Sequence, residues 1–174
     1  NMSPRTLLLL LLAPIASAQV LPAPLATITE FMARNGTTLA DEDGDFSDWI
    51  EITAGGAGAV NLGGWSLTDD PQDLTKWTFP PEVLTPGSSI VVFASSKNRA
   101  MLGSELHANF SLAGDGEYLA LVEPGGVAIA TAFAPSFPSQ RTDVSYGTNI
   151  GAQSLIGQGA AATAIVPTDG SLGT

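Results

Sequence analysis

The chain has 174 residues, 44% of them hydrophobic and only 13% charged, which is enough to build one domain with a core and argues against charge-driven disorder. A formal net charge of −11 repels phosphate backbones, so no nucleic-acid partner is expected. Cysteine is absent, which excludes disulfides, a thiolate nucleophile and cysteine-ligated zinc.

The first eighteen residues read as an address. Asn1 is expected to lie upstream of a true start at Met2. Arg5 supplies a short positive region, Leu7 to Leu12 an unbroken leucine run, and Ala16-Ser17-Ala18 a small-residue cleavage site. The run is too short to span a bilayer, which takes roughly 20 apolar residues. The expectation is a Sec-type signal peptide over residues 1–18, a mature start at Gln19, a secreted or cell-surface location and no transmembrane segment after cleavage. A buried core helix is the alternative for the same run.

Residues 19–25 form a proline-containing linker, and period-2 alternation then takes over. Ile28, Glu30 and Met32 alternate with Thr29, Phe31 and Ala33 in a first predicted strand. Asn35-Gly36 is a turn, and Leu39 to Ser47 an acidic loop. Asp48 to Ile52 is a second strand, with Ile50 and Ile52 on one face and Trp49 and Glu51 on the other. Short strands follow at Val60–Leu62, Trp65–Thr68 and Lys76–Phe79. Ile90 to Ala94, β-branched and aromatic throughout, is the candidate for a strand buried on both faces.

Lys97 to Leu106 reads as a polar crossing segment, and Asn109 to Leu112 as a strand. Glu117–Val122 and Val127–Phe133, separated by Pro124-Gly125-Gly126, form the clearest hairpin. Asp143 to Gly147 is a last strand. Short, evenly spaced strands without a sustained helical period point to an all-β sandwich or barrel. Residues 149–174 are rich in Gly and Ala and read as a linker, expected to lead into a further C-terminal domain.

The ordered series Ile28-Thr29-Glu30-Phe31-Met32, Asp48-Trp49-Ile50-Glu51-Ile52, Val60 to Asp69, Lys76-Trp77-Thr78-Phe79-Pro80, Leu84 to Gly87, Ile90 to Ala94, Asn109 to Leu112, Glu117 to Leu121 and Asp143 to Gly147 resembles the lamin-tail domain. The resemblance is to a bacterial, secreted branch of that family. It implies an immunoglobulin-like antiparallel β-sandwich over residues 26–148. It also implies a non-catalytic accessory module with a structural, anchoring or binding role in a larger exported protein.

One polar constellation stands out. Asp41, Asp43 and Asp45 fall at spacing two, Gly44 permits a bend, and Asp48 enters from the next strand. Hard cations take about six to eight oxygen ligands, so these four are candidate calcium ligands; a solvated acidic turn is the alternative. Asp69, Asp70 and Asp73 read as a plain turn, since Asp-Pro is itself a turn signal.

No catalytic residue is assigned. His107, the single histidine, has Ser104 and Ser111 near it in sequence, but neither lies in a nucleophile-elbow pattern. Glu30, Glu51 and Glu117 are expected on solvent-facing strand positions. Trp49, Trp65 and Trp77 are expected in the core; displayed instead on an open face, they would suit stacking on sugar rings. The partner is accordingly left between a protein and a polysaccharide, with a carbohydrate-binding accessory domain as the alternative function.

Overall fold

The computed structural model describes residues 25–147; the leader, most of the first linker and the Gly/Ala-rich segment lie outside them. Eleven strands run in chain order: β1 (Ala26–Met32), β2 (Asp48–Ala54), β3 (Val60–Asn61), β4 (Ser66–Thr68), β5 (Trp77–Thr78), β6 (Val83–Leu84), β7 (Ser89–Ala94), β8 (Leu106–His107), β9 (Leu119–Val122), β10 (Ile129–Phe133) and β11 (Tyr146–Gly147). One sheet has the order β11-β1-β2-β7-β8, a second β10-β9-β4-β5, and β3 pairs with β6 in a small ribbon. The described residues contain no helix.

Side-chain alternation fixes what each sheet contributes to the core. Ile50 and Ile52 of β2, Val92 of β7 and Leu106 of β8 point inward and meet Leu67 of β4 and Leu119 and Leu121 of β9. Burying each of these side chains contributes about 1.5–3 kcal/mol. Trp65, Trp77 and Phe79 join the same core, with the Trp77 and Phe79 rings 4.8 Å apart. Strand β9 is buried on both faces, because Ala120 and Val122 pack with Tyr118 under Leu74. In β7 that property holds only for Val92, Phe93 and Ala94.

Strict alternation along β1 fails at Thr29. The pairing runs Ile28 with Ile52, then Glu30 with Glu51, so one extra residue is inserted. This bulge brings Ile28 and Phe31, three positions apart, onto the core side. The expected grouping of Ile28 with Glu30 and Met32 is thereby corrected. Phe31, fully buried, packs edge-on against Phe133 and at a tilt against Phe137 and Tyr146, with ring centroids at 5.0, 4.8 and 5.4 Å, tying β1 to β10 and β11.

Three other expectations change. Asn109–Leu112 forms no strand; Ser111 makes a single bridge to Ser95. The polar crossing segment instead ends in β8, which pairs with β7 in parallel, the one parallel pairing among the described strands. Polar composition concealed β8, since Leu106 and His107 are just two residues. The strand β6 was not foreseen either, being a two-residue partner for β3. The β9–β10 hairpin stands as expected.

Gly116 permits a close approach before β9. Its φ is +103°, and a Cβ there would lie 2.2 Å from the Phe137 carbonyl oxygen. Gly116→Ala is expected to cost about 2 kcal/mol or more, read as a lower midpoint in denaturant melts; an unchanged midpoint would contradict this packing.

Candidate functional site: an acidic strap over the outer face

Directly opposed residues on neighbouring strands share a face. Met32, Trp49, Phe93 and His107 are opposed in turn across β1, β2, β7 and β8, so they form one row on the outer side of the first sheet. An outward row would ordinarily meet water. Here Met32, Phe93 and His107 are buried and Trp49 is half-buried. The loop between β1 and β2, residues 33–47, lies along this side as a strap.

The strap is built around two side chains. Asn35, nearly buried, donates through Nδ2 to the carbonyls of Leu39 and Ser47 at 2.6 and 2.8 Å and accepts from Thr38 N. Asp41 accepts from Asp43 N and Asp45 N at 3.1 and 3.0 Å through Oδ1, and from Ser47 Oγ at 3.0 Å through Oδ2. Gly44, with φ +84°, supplies the left-handed turn that lets the loop close on Asp41. Farther along, Asp143 accepts from Gly36 N, Thr37 N and Thr37 Oγ1, which holds its carboxyl below the usual range.

The cation among these carboxylates belongs to the chain. Lys97 Nζ lies 2.6 Å from Asp41 Oδ2, 2.7 Å from Asp43 Oδ2 and 2.9 Å from Asp45 Oδ2. The three carboxylates offer oxygens within 4.8 Å of one another, the arrangement that also suits a divalent ion. Lys97 is aimed there by a tight crossing in which Ser96 and Asn98 both adopt positive φ, 61° and 53°. Arg99 adds a second clamp, reaching Glu42 Oε1 at 2.9 Å and Asp43 Oδ2 at 2.8 Å.

Thus the structure brings Asp41, Asp43 and Asp45 together and leaves Asp48 out. Asp48 opens β2 and accepts from Leu112 N at 3.2 Å, while Glu117 accepts from the next amide, Ala113 N, at 2.7 Å. The sequence groups Asp48 with the loop acids; strand pairing places it at the head of β2, outside the set whose oxygens lie within 4.8 Å of one another. Burial pushes the carboxyls of Asp48 and Glu117 up.

Burial by itself would also raise Asp41. The Lys97 ammonium and the donors of Asp45, Ser47 and Asp43 outweigh it and bring Asp41 down to about 2. A carboxyl depressed below its unfolded value of 3.8 stabilises the fold above that value, and the contribution is lost as pH falls toward about 2. Asp43 and Asp143 are shifted the same way. The melting temperature is therefore expected to fall between about pH 5 and pH 2, and Asp41→Asn should flatten that fall. An equal slope in wild type and variant would sink the assignment.

The remaining candidates are placed as follows. Asp70 and Asp73 cap their own turn, accepting from Gln72 N and Thr75 N, and Asp69 pairs with Lys76 at 2.5 Å. Glu51 accepts from Thr29 Oγ1 and Glu30 from Ser145 Oγ. His107 is fully buried, stacked on Phe93 at 5.4 Å, with Nδ1 2.9 Å from Ser95 Oγ. Ser95, not Ser104 or Ser111, is its neighbour; sequence carried no signal for this, because β8 returns parallel beside β7. A wholly buried, stacked imidazole is poorly placed to shuttle protons to an external substrate.

Two larger sheets and a two-stranded ribbon, with no helix among the described residues and a loop clasped by internal ion pairs, define an immunoglobulin-like β-module. The lamin tail domain family model matches residues 24–134, more than half of the chain, and the chain belongs to that family. Comparison with curated proteins finds no match.

Proposed function

We propose that this chain is an exported, non-catalytic lamin-tail module that anchors or positions a larger protein by binding another protein. The observation that carries this reading is the use made of the acidic strap. Its carboxylates are engaged by Lys97, Arg99 and loop amides, so the most concentrated polar group of the sequence serves architecture. Among the three tryptophans, Trp65 and Trp77 are each 3% exposed and sit in the core, which leaves only half-buried Trp49 for stacking and weighs against the polysaccharide reading.

Export is tested by expressing the whole chain in a bacterial host and sequencing the N-terminus of the material outside the cytoplasm. A mature terminus at Gln19 is expected; retention of the uncleaved chain in the cytoplasm would overturn the export part of the proposal.

Calcium at Asp41, Asp43 and Asp45 is a second reading, favoured by the clustering of their oxygens. A bound calcium ion would have to displace a lysine held at three points, so millimolar calcium is expected to leave the melting temperature unchanged. A rise that disappears on changing Asp43 and Asp45 to Asn would instead place the ion in the cluster.

A further inference from the structure

The outer side of the second sheet is only half covered. Thr78, Ser66, Val122 and Ile129 are opposed in turn across β5, β4, β9 and β10, and Thr68, Ala120 and Ala132 form the row beside it. Leu74, from the turn between β4 and β5, packs with Tyr118, Ala120 and Val122 and closes this side over β9. The cover stops at β10. Ile129 is 47% exposed, Val127 just before the strand 83%, and Ala132 is exposed as well.

Strand β10 is also an open edge. It ends the second sheet and, among the described strands, pairs with β9 alone. Edge strands are ordinarily guarded by bulges, lysine or proline. The bulge here lies at the hairpin end, and pairing is regular from Thr131 to Phe133. No charged residue occurs in residues 124–140, and no proline in residues 125–134.

Charge selects the occupant. Glu123 closes the hairpin, its N donating to Ala128 O at 2.8 Å. The turn that carries Asp70 and Asp73 lies against the hairpin tip: a Cβ on Gly126 would stand 2.6 Å from Thr75 Cγ2, and Thr75 N donates to Asp73 Oδ1 at 3.2 Å. Among the described residues Glu123, Asp70 and Asp73 make no ion pair, whereas Arg34, Lys76, Lys97 and Arg99 are each committed to other acids. An apolar edge with an uncompensated acidic rim, on a chain of net charge −11, repels an acidic partner and attracts a basic one.

We propose that this hairpin docks a basic, extended segment of a protein partner. The segment adds as a strand along β10, sets apolar side chains on Val127, Ile129 and Ala132, and places lysine or arginine beside Glu123 and Asp73. Main-chain bonds along the edge supply affinity, and alternate side chains supply specificity. This rests on the protein-binding role and gives it a surface and a partner chemistry.

The test titrates the whole ¹⁵N-labelled chain with three synthetic peptides: alternating Lys and Val, alternating Glu and Val, and the Lys and Val residues in block order. Only the first is expected to shift the amide signals of residues 127–134 and slow their exchange, and its affinity should fall as salt shortens the screening length from about 30 to about 8 Å. Glu123→Gln combined with Asp73→Asn should weaken it about threefold or more. Ile129→Lys, at an exposed position, should abolish it and leave the melting temperature unchanged. Absence of binding overturns the proposal, as does equal binding of all three peptides. Shifts confined to residues 41–45 overturn this surface and leave the protein-binding role standing. Self-association through residues 127–134 without peptide gives the edge to a second copy and overturns the proposal too. A shift of the Trp49 indole signal on adding cellohexaose counts instead against the protein-binding role itself.

Discussion

Asp41→Ala is expected to destabilise the domain by about 2–4 kcal/mol, because it removes the hub of the strap and leaves several donors without acceptors. Asp43 N, Asp45 N and Ser47 Oγ all donate to this one buried carboxylate, and Lys97 reaches it at 2.6 Å. The loss should appear as a lower urea midpoint. It should also loosen the cover over Met32, Phe93 and His107, seen as faster hydrogen exchange in residues 38–47 and as a change in Trp49 fluorescence. Asp41→Asn retains an acceptor for the two amides and should cost less than Asp41→Ala. If both variants melt like wild type, the strap contributes nothing to stability and the acidic loop is a solvated turn.

Phe31→Ala is expected to have the largest effect, about 3–5 kcal/mol. The ring is fully buried and touches Phe133, Phe137 and Tyr146, which come from β10, the segment after it, and β11. Its removal opens a cavity at the point where the closing segments of both sheets meet β1, and neither sheet can slide in to fill it without breaking the register of β1 with β2. Denaturant unfolding should show the full loss, with β11 the first element to exchange freely. Phe31→Leu keeps most of the volume and should recover more than half of the difference. A cost below about 1 kcal/mol for Phe31→Ala would mean that this aromatic cluster does not hold the sandwich closed.

These two positions show where sequence reading stops. Phe31 was visible as a strand residue, and period 2 placed it opposite Ile28. One inserted residue at Thr29 put both on the core side. A bulge has no composition signature of its own here, because Thr29 is an ordinary strand former. The acidic loop was visible as a cluster of carboxylates at spacing two, and three of its four expected members do come together. Its counter-charge was not visible. Lys97 lies more than fifty residues away, and only the crossing from β7 to β8, with Ser96 and Asn98 at positive φ, aims it at Asp41.

The sequence by itself determined the all-β class, the β9–β10 hairpin, the shared face of Ile50 and Ile52 on β2, the core placement of Trp65 and Trp77, and membership of the lamin tail domain family, because these rest on local alternation, turn residues and the order of short motifs. Tertiary structure decided the parallel return of β8, the burial of the outer row Met32–Trp49–Phe93–His107, the separation of Asp48 from the loop acids, and the meeting of His107 with Ser95 and Glu42. Each of those depends on contacts between residues far apart in the chain. Pairing register and loop closure, which no local pattern encodes, are what bring such residues together.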